Sequence, residues 1–308
     1  VTPSFEAATD GSDYIEGGGG RDVVFAGLGQ DDVIGGSSNL FGLTAAAMRP
    51  DSDDILFGGA GIRIDRNQLG QNAESTSGLA SDHASDADAI LGDNGNLYRL
   101  VKPNNGGYFA FAYDSTQDIG SNPAAPGAPQ SRGPVRVVPR AFTLLDYTPG
   151  VAATSDRGGS DLIHAEEGDD LVHGMLGNDV LYGDGWDDDL YGGTGLDKIF
   201  GGTGEDGILG DDGLIKTSRN GQAEPLYGLA AQTQATISLP GPWTGAVVDI
   251  TGFIKKTVDL TVGGTPDTWT NGYADVIYGG LGDDWLHGGA GDDAISGAEA
   301  LPLSLIHI

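Results

Sequence analysis

The chain has 308 residues, with 45 acidic against 15 basic side chains, a formal charge of −30 and no cysteine. That balance repels nucleic acid and anionic membrane surfaces and makes cations the natural partners; without cysteine there is no disulfide framework and no thiolate metal site. Glycine accounts for 54 residues but lacks the every-third spacing of collagen, and no apolar run approaches the length of a membrane span.

From residue 8 onward the chain runs in nine-residue units that align on an aspartate. The first block spans 8–34, with Asp13, Asp22 and Asp31 in register. In the degenerate stretch 35–91 two isolated units follow, at 48–56 aligned on Asp53 and at 83–91 aligned on Asp88. A block of six units covers 156–209, with Asp161, Asp170, Asp179, Asp188, Asp197 and Asp206. The last block covers 270–296, with Asp275, Asp284 and Asp293. Two positions after each aspartate stands an aliphatic residue, from Ile15, Val24 and Val33 through Ile55 and Ile90 to Ile277, Leu286 and Ile295. A disordered Gly/Asp tract has no reason to keep that register.

The glycines of the units allow left-handed tight turns. Three residues around each aliphatic then form a short strand whose middle side chain points inward. One unit makes a half-turn, so units nine apart fall on opposite sides and units eighteen apart stack, about 4.8 Å from coil to coil.

The units "GGGGRDVVF" (17–25), "GGTGLDKIF" (192–200), "GGTGEDGIL" (201–209), "GGLGDDWLH" (279–287) and "GGAGDDAIS" (288–296) resemble the RTX, or hemolysin-type, calcium-binding nonapeptide. The resemblance implies an all-β fold: a right-handed parallel β-roll (a β-helix or solenoid) of nonapeptide repeats, interrupted by two β-rich insertions. It implies several Ca²⁺ ions, each held between stacked turns by aspartates and turn carbonyls. The implied sites are Asp13 with Asp31, Asp161 with Asp179, Asp179 with Asp197, Asp170 with Asp188, Asp188 with Asp206, and Asp275 with Asp293. Asp22 and Asp284 join the set from their own units. The turn glycines carried over are Gly18, Gly20, Gly193, Gly195, Gly202, Gly204, Gly280, Gly282, Gly289 and Gly291. Calcium suits these hard oxygen donors, whereas Mg²⁺ demands stricter octahedral geometry. The aliphatic core is thin and the stacked carboxylates repel, so a cation that binds only the folded state answers both problems. Two departures stand out. Trp186 replaces a turn glycine, which puts strain on the sites that use Asp188. Arg63 falls near an aspartate position in "GGAGIRID" and marks a coil expected to bind no ion.

The insertions are expected over 92–155 and 210–269. Their entrances match, "DAILGDNGNL" (88–97) and "DGILGDDGLI" (206–215), which suggests an internal duplication. Strand character appears at 107–113, 135–145, 235–239 and 245–262, and 120–134 reads as a Pro/Gly/Ser-rich loop. The ninth position of the units carries His164, Tyr182 and Phe200 on one sheet and His173 and Tyr191 on the other. This row reads either as a sugar-stacking stripe or as a packing surface for the insertions, and packing is the preferred reading. The two histidines fall on opposite sheets and make a poor metal pair. Residues 297–308 read as a truncated or artefactual tail, and both ends of the chain as cut points.

No His-Glu-x-x-His, Gly-x-Ser-x-Gly, Walker or EF-hand motif is present in the sequence, so no enzyme activity is expected. The expectation is a secreted bacterial segment of a larger protein that folds on binding calcium and serves as a scaffold. The resemblance implies export by a type I secretion machinery and a location outside the cell or on its surface. Neither nucleic acid nor a membrane span is expected as a partner. Two other readings stay open: an adhesin whose insertions bind a glycan or a protein, and a module of a polysaccharide-active enzyme.

Overall fold

The computed structural model describes residues 10–61, 86–99, 137–138, 140–150, 153–217, 244–246, 256–260 and 273–299. In chain order the strands are β1 (Tyr14–Glu16), β2 (Val23–Phe25), β3 (Asp32–Ile34), β4 (Ile55–Phe57), β5 (Ala89–Leu91), β6 (Gly95–Arg99) and β7 (Arg140–Leu144). There follow β8 (Leu162–His164), β9 (Leu171–Leu176), β10 (Val180–Gly185), β11 (Asp189–Thr194), β12 (Lys198–Thr203) and β13 (Gly207–Leu209). The remainder are β14 (Leu214–Thr217), β15 (Thr244–Ala246), β16 (Lys256–Asp259), β17 (Val276–Leu281), β18 (Trp285–His287) and β19 (Ala294–Ser296). A 3₁₀ turn at Ala46–Met48 is the helical element among the described residues.

Two seven-stranded parallel sheets make the roll, one ordered β1-β3-β5-β9-β11-β13-β18 and the other β19-β17-β12-β10-β8-β4-β2. The chain alternates between them. Within a tandem block the register is the predicted one: Ile15 pairs with Val33, Leu181 with Ile199, and Leu190 with Ile208. Where the chain leaves the roll, stacking continues across the gap. Val33 pairs with Ile90, Ile90 with Val172, Ile199 with Ile277, and Ile208 with Leu286. The middle residue of each strand faces inward by the period-2 alternation of a strand. Val33, Leu56, Ile90, Ile163, Val172, Leu181, Leu190, Ile199, Ile208 and Ile277 line one core and are fully buried.

One unit is corrected. The sequence pattern places it at 48–56, on Asp53 with Ile55 inward. In the structure Val24 pairs with Leu56, and Leu56 pairs with Ile163. Leu56 is the fully buried residue, Ile55 is only half-buried, and the aspartate in register is Asp54. A one-residue slip exchanges the faces of a strand, so the buried position decides the register.

A second core lies outside the first sheet, where Ile34, Ala89, Leu91, Leu171, Tyr191 and Leu209 project from the roll. Leu97, Phe142, Leu144, Leu214 and Ile215 of the insertions cover them. β6 and β7 pair antiparallel, as do β14 and β16. β15, from the second insertion, pairs antiparallel with β7 of the first, so the two insertions share a sheet. A buried bidentate ion pair, Arg49 to Asp146 at 2.7 and 2.8 Å, ties the loop after β3 to the end of the first insertion. The strand character expected at 107–113 and 235–239, the loop at 120–134, Arg63 and the tail from residue 300 lie outside the described residues.

The register makes a direct prediction. Leu56→Ala should destabilise the calcium-loaded roll by about 2–5 kcal/mol in chemical denaturation, while Ile55→Ala costs well under half of that. Equal losses, or a larger loss at Ile55, would restore the 48–56 register.

Candidate metal centre

Each turn between the sheets carries an aspartate in register, and stacking brings these aspartates into two columns. On the first sheet the column is Asp13, Asp31, Asp88, Asp170, Asp188, Asp206 and Asp284. On the second it is Asp22, Asp54, Asp161, Asp179, Asp197, Asp275 and Asp293. In every step the backbone N–H of one aspartate donates to Oδ1 of the aspartate one coil further on, at 2.5 to 3.1 Å. The structure therefore brings together every expected pair. It adds six: Asp22 with Asp54, Asp54 with Asp161, Asp31 with Asp88, Asp88 with Asp170, Asp197 with Asp275, and Asp206 with Asp284.

Beyond Asp13 and Asp22, Oδ1 of each carboxylate is thus used in building the roll. In the following nine, Oδ2 is not. Oδ2 of Asp31, Asp54, Asp88, Asp161, Asp170, Asp179, Asp188, Asp197 and Asp206 is buried and accepts no hydrogen bond. A buried ionised oxygen without a partner is costly, so these atoms call for a cation or a proton.

The position they surround is marked by glycines two residues after the inward residue of a roll strand. An ideal Cβ on Gly174 would lie 2.4 Å from Asp179 Oδ2 and 2.7 Å from the Gly192 carbonyl oxygen. At Gly183 the same distances are 2.3 Å to Asp188 and 2.6 Å to Gly201; at Gly192, 2.6 Å to Asp197 and 2.2 Å to Gly210. At Gly201 both are 2.3 Å, to Asp206 and Gly279. The same two oxygen types converge at Gly35, Gly58, Gly92 and Gly210. No carbon fits so close to two oxygens, whereas these are the spacings at which a calcium ion takes carboxylate and carbonyl ligands. Among the described residues no three His, Cys, Asp or Glu side chains converge as a metal cluster. The donor set is instead carboxylate plus main-chain carbonyl, which suits a hard cation.

The turn glycines expected as site residues serve as hinges. Gly18, Gly20, Gly193, Gly195, Gly202, Gly204, Gly280, Gly282, Gly289 and Gly291 all have φ between 100° and 153°. The carbonyls beside the carboxylates, which the pattern reading left out, belong to the residue two after a strand's inward one, a glycine at all of these positions but Ala165. Trp186 takes φ 83° at a hinge position, a strained conformation for a bulky residue. The oxygens around Gly183 and Asp188 nonetheless keep the spacing seen in the other units.

The ninth-position rings divide by sheet. On the second sheet Phe25, Phe57, His164, Tyr182, Phe200 and Tyr278 stack face to face, with centroids 4.2 to 5.5 Å apart. On the first, His173 and Tyr191 stack and meet Phe142 and Tyr147 of the first insertion edge-on. Packing of the insertions accounts for the first-sheet rings only. His164 and His173 lie on opposite sheets, and His164 Nδ1 is 2.9 Å from Asp184 Oδ2.

Burial dominates the electrostatics of the columns. It pushes Asp31, Asp54 and Asp284 up to about 6, Asp197 to about 7 and Asp161 to about 8. Asp170, Asp179, Asp188 and Asp206 are driven well above the usual carboxylate range, first by burial and then by the charges of neighbouring carboxylates.

A family model of the RTX calcium-binding nonapeptide repeat matches four segments, residues 8–39, 157–185, 187–213 and 269–299. No curated protein and no solved structure matches the chain.

The raised carboxylates fix a pH dependence. Their folded pKa values lie above the unfolded value, so without metal their contribution to stability is complete below about pH 4 and disappears as pH rises through about 6 to 8. In chelator, circular dichroism should show β structure gained on acidification from pH 8 to 5. In calcium the opposite trend is expected, with the midpoint concentration rising as protons compete for the same oxygens. A calcium midpoint independent of pH over that range would contradict the assignment of the columns.

Proposed function

We propose, for a chain that is an RTX nonapeptide-repeat protein binding calcium in a parallel β-roll, that calcium drives its folding outside the cell. The folded roll then serves as a scaffold that carries the two insertions. The observation that carries this reading is the run of nine column aspartates, Asp31, Asp54, Asp88, Asp161, Asp170, Asp179, Asp188, Asp197 and Asp206, with one oxygen bonded and the other buried without a hydrogen bond. Asp22, Asp31, Asp54, Asp88, Asp161, Asp170, Asp179, Asp188, Asp197, Asp206, Asp275 and Asp284 would hold the ions, assisted by the main-chain carbonyls beside them. The bound ion supplies positive charge between carboxylates that otherwise repel, and binding free energy that only the folded chain collects.

Folding outside the cell follows from the same balance. A roll that needs its ions remains unwound where calcium is scarce and winds where it is plentiful. Extracellular modules typically bind at about 10⁻⁴–10⁻³ M, and the thin single-file core adds little stability of its own. The acidic charge keeps the unwound chain extended and soluble. Export through a type I machinery in the unwound state fits this order of events.

Calcium titration of the full chain by circular dichroism tests the reading. The β signal should be lost in chelator, return near millimolar calcium, and respond poorly to magnesium. A chain fully folded in chelator and indifferent to calcium would sink the proposal. Asp54→Ala should destabilise the calcium-loaded roll by about 1.5–3 kcal/mol, and Asp53→Ala, on the solvent side, by much less; equal effects would remove Asp54 from the column.

A further inference from the structure

The two insertions leave the roll in the same way. The exit units read Ala89-Ile90-Leu91-Gly92-Asp93-Asn94-Gly95 and Gly207-Ile208-Leu209-Gly210-Asp211-Asp212-Gly213. In each, the aspartate after the glycine caps a turn of the next coil: Asp93 Oδ2 accepts from the Leu176 N–H at 2.8 Å, and Asp211 Oδ2 from the Ala290 N–H at 2.6 Å. Each exit is followed by a strand, β6 or β14, that pairs antiparallel with a later strand of its insertion. Counted from the exits, Leu97 corresponds to Ile215 and Arg99 to Thr217. The registers place Arg99 opposite Arg140 and Thr217 opposite Lys256.

These four side chains converge on equivalent aspartates. Asp32 follows Asp31 of the first column and is paired with Ala89; Asp189 follows Asp188 of the same column and is paired with Gly207. Asp32 accepts from Arg140 Nε at 2.6 Å and Arg99 Nε at 2.7 Å. Asp189 accepts from Lys256 Nζ at 2.7 Å and from the Thr217 hydroxyl at 2.7 and 2.8 Å. Both cations also read the main chain beside the column. Arg140 Nη2 donates to the Gln30 carbonyl at 2.7 Å, and Lys256 Nζ to the Asp188 carbonyl at 2.8 Å. Lys256 is 1% exposed and Arg140 3%. Charges buried to that degree are tolerated only when paired.

The small residue over each aspartate makes the approach possible. An added Cβ on Gly207 would lie 2.8 Å from Lys256 Cδ and 3.0 Å from Ile215 Cγ2. The same position in this sheet also carries Tyr14, Leu171 and Trp285, so the roll itself accepts a large side chain there.

We propose that the two insertions are copies of one docking module, and that each clamps the wound roll through a buried cation on an outer-face aspartate. Arg140, with Arg99, holds Asp32; Lys256, with Thr217, holds Asp189. Neither aspartate belongs to a column. The receptor for each cation is an aspartate side chain plus a carbonyl from the wound coil, and it exists only once that coil has formed. On the calcium reading above, on which this inference rests, calcium therefore orders the insertions through the clamps. By reciprocity, docking of the insertions strengthens calcium binding.

The test uses the full-length chain, with Gly207→Val and Lys256→Met as variants. Backbone hydrogen exchange is read at 214–217 and 256–259 for the insertion and at 189–194 for the roll, beside a calcium titration. In the unmodified chain both regions gain protection together on adding calcium. In Gly207→Val, which changes no charge and no ligand, insertion protection should fall about tenfold or more while the roll stays protected. Its calcium midpoint should rise about twofold, the lost coupling being shared among several ions. Lys256→Met should lose insertion protection likewise. Unchanged insertion protection in both variants overturns the clamp, and so does an insertion that stays protected in chelator while the roll unwinds. If the roll amides of the unmodified chain ignore calcium, the calcium reading fails first and takes this inference with it.

Discussion

The hydrogen bond from each turn aspartate's N–H to the carboxylate one coil further on sets the terms for the whole molecule. It fixes the coil-to-coil register, because each aspartate must sit under the next. It also draws the carboxylates into columns where Asp31, Asp54, Asp88, Asp161, Asp170, Asp179, Asp188, Asp197 and Asp206 are buried with one oxygen bonded and one not. Like charges at that spacing and burial either take up protons or share a cation. Where glycine heads a unit, a side chain would enter the space between Oδ2 and the next coil's carbonyl; Ala26 and Ala165 head the units aligned on Asp31 and Asp170.

A column defined in space tolerates interruption in sequence. The steps from Asp31 to Asp88, Asp54 to Asp161, and Asp197 to Asp275 skip 57, 107 and 78 residues, yet their bonds match those of steps 18 residues apart. Closing a long loop costs only slightly more entropy than closing a short one, so the roll can release the chain and recover it. The released segments are then used to cover one outer sheet. There they bury a second apolar layer and place cations against aspartates that would otherwise add to the acidic surface. The opposite sheet covers itself in part by stacking its rings along the roll.

Much of this was legible in the residues. The nine-residue period, the aliphatic two after each aspartate and the pairing of units eighteen apart follow from local chemistry repeated in tandem. The register failed at "DSDDILF", where both Asp53 and Asp54 are followed two residues on by an aliphatic. A further signal was available there. An aromatic or histidine stands three after Asp22, Asp161, Asp179, Asp197 and Asp275, and Phe57 stands three after Asp54, whereas Leu56 stands three after Asp53. The pairs across the insertions were not legible, since nothing local states which distant aspartate returns to the column.

The sequence by itself determined the repeating unit, the inward row, the hinge glycines and the acid-rich donor set, because each depends on residues within one or two turns of the chain. Tertiary structure alone decided that the columns run unbroken through Asp54 and Asp88. It also decided which main-chain carbonyl lies beside each Oδ2, and that Arg140 and Lys256 occupy matching places in the two insertions. Each of those depends on segments tens of residues apart meeting in space, and coil stacking, rather than spacing along the chain, sets where they meet.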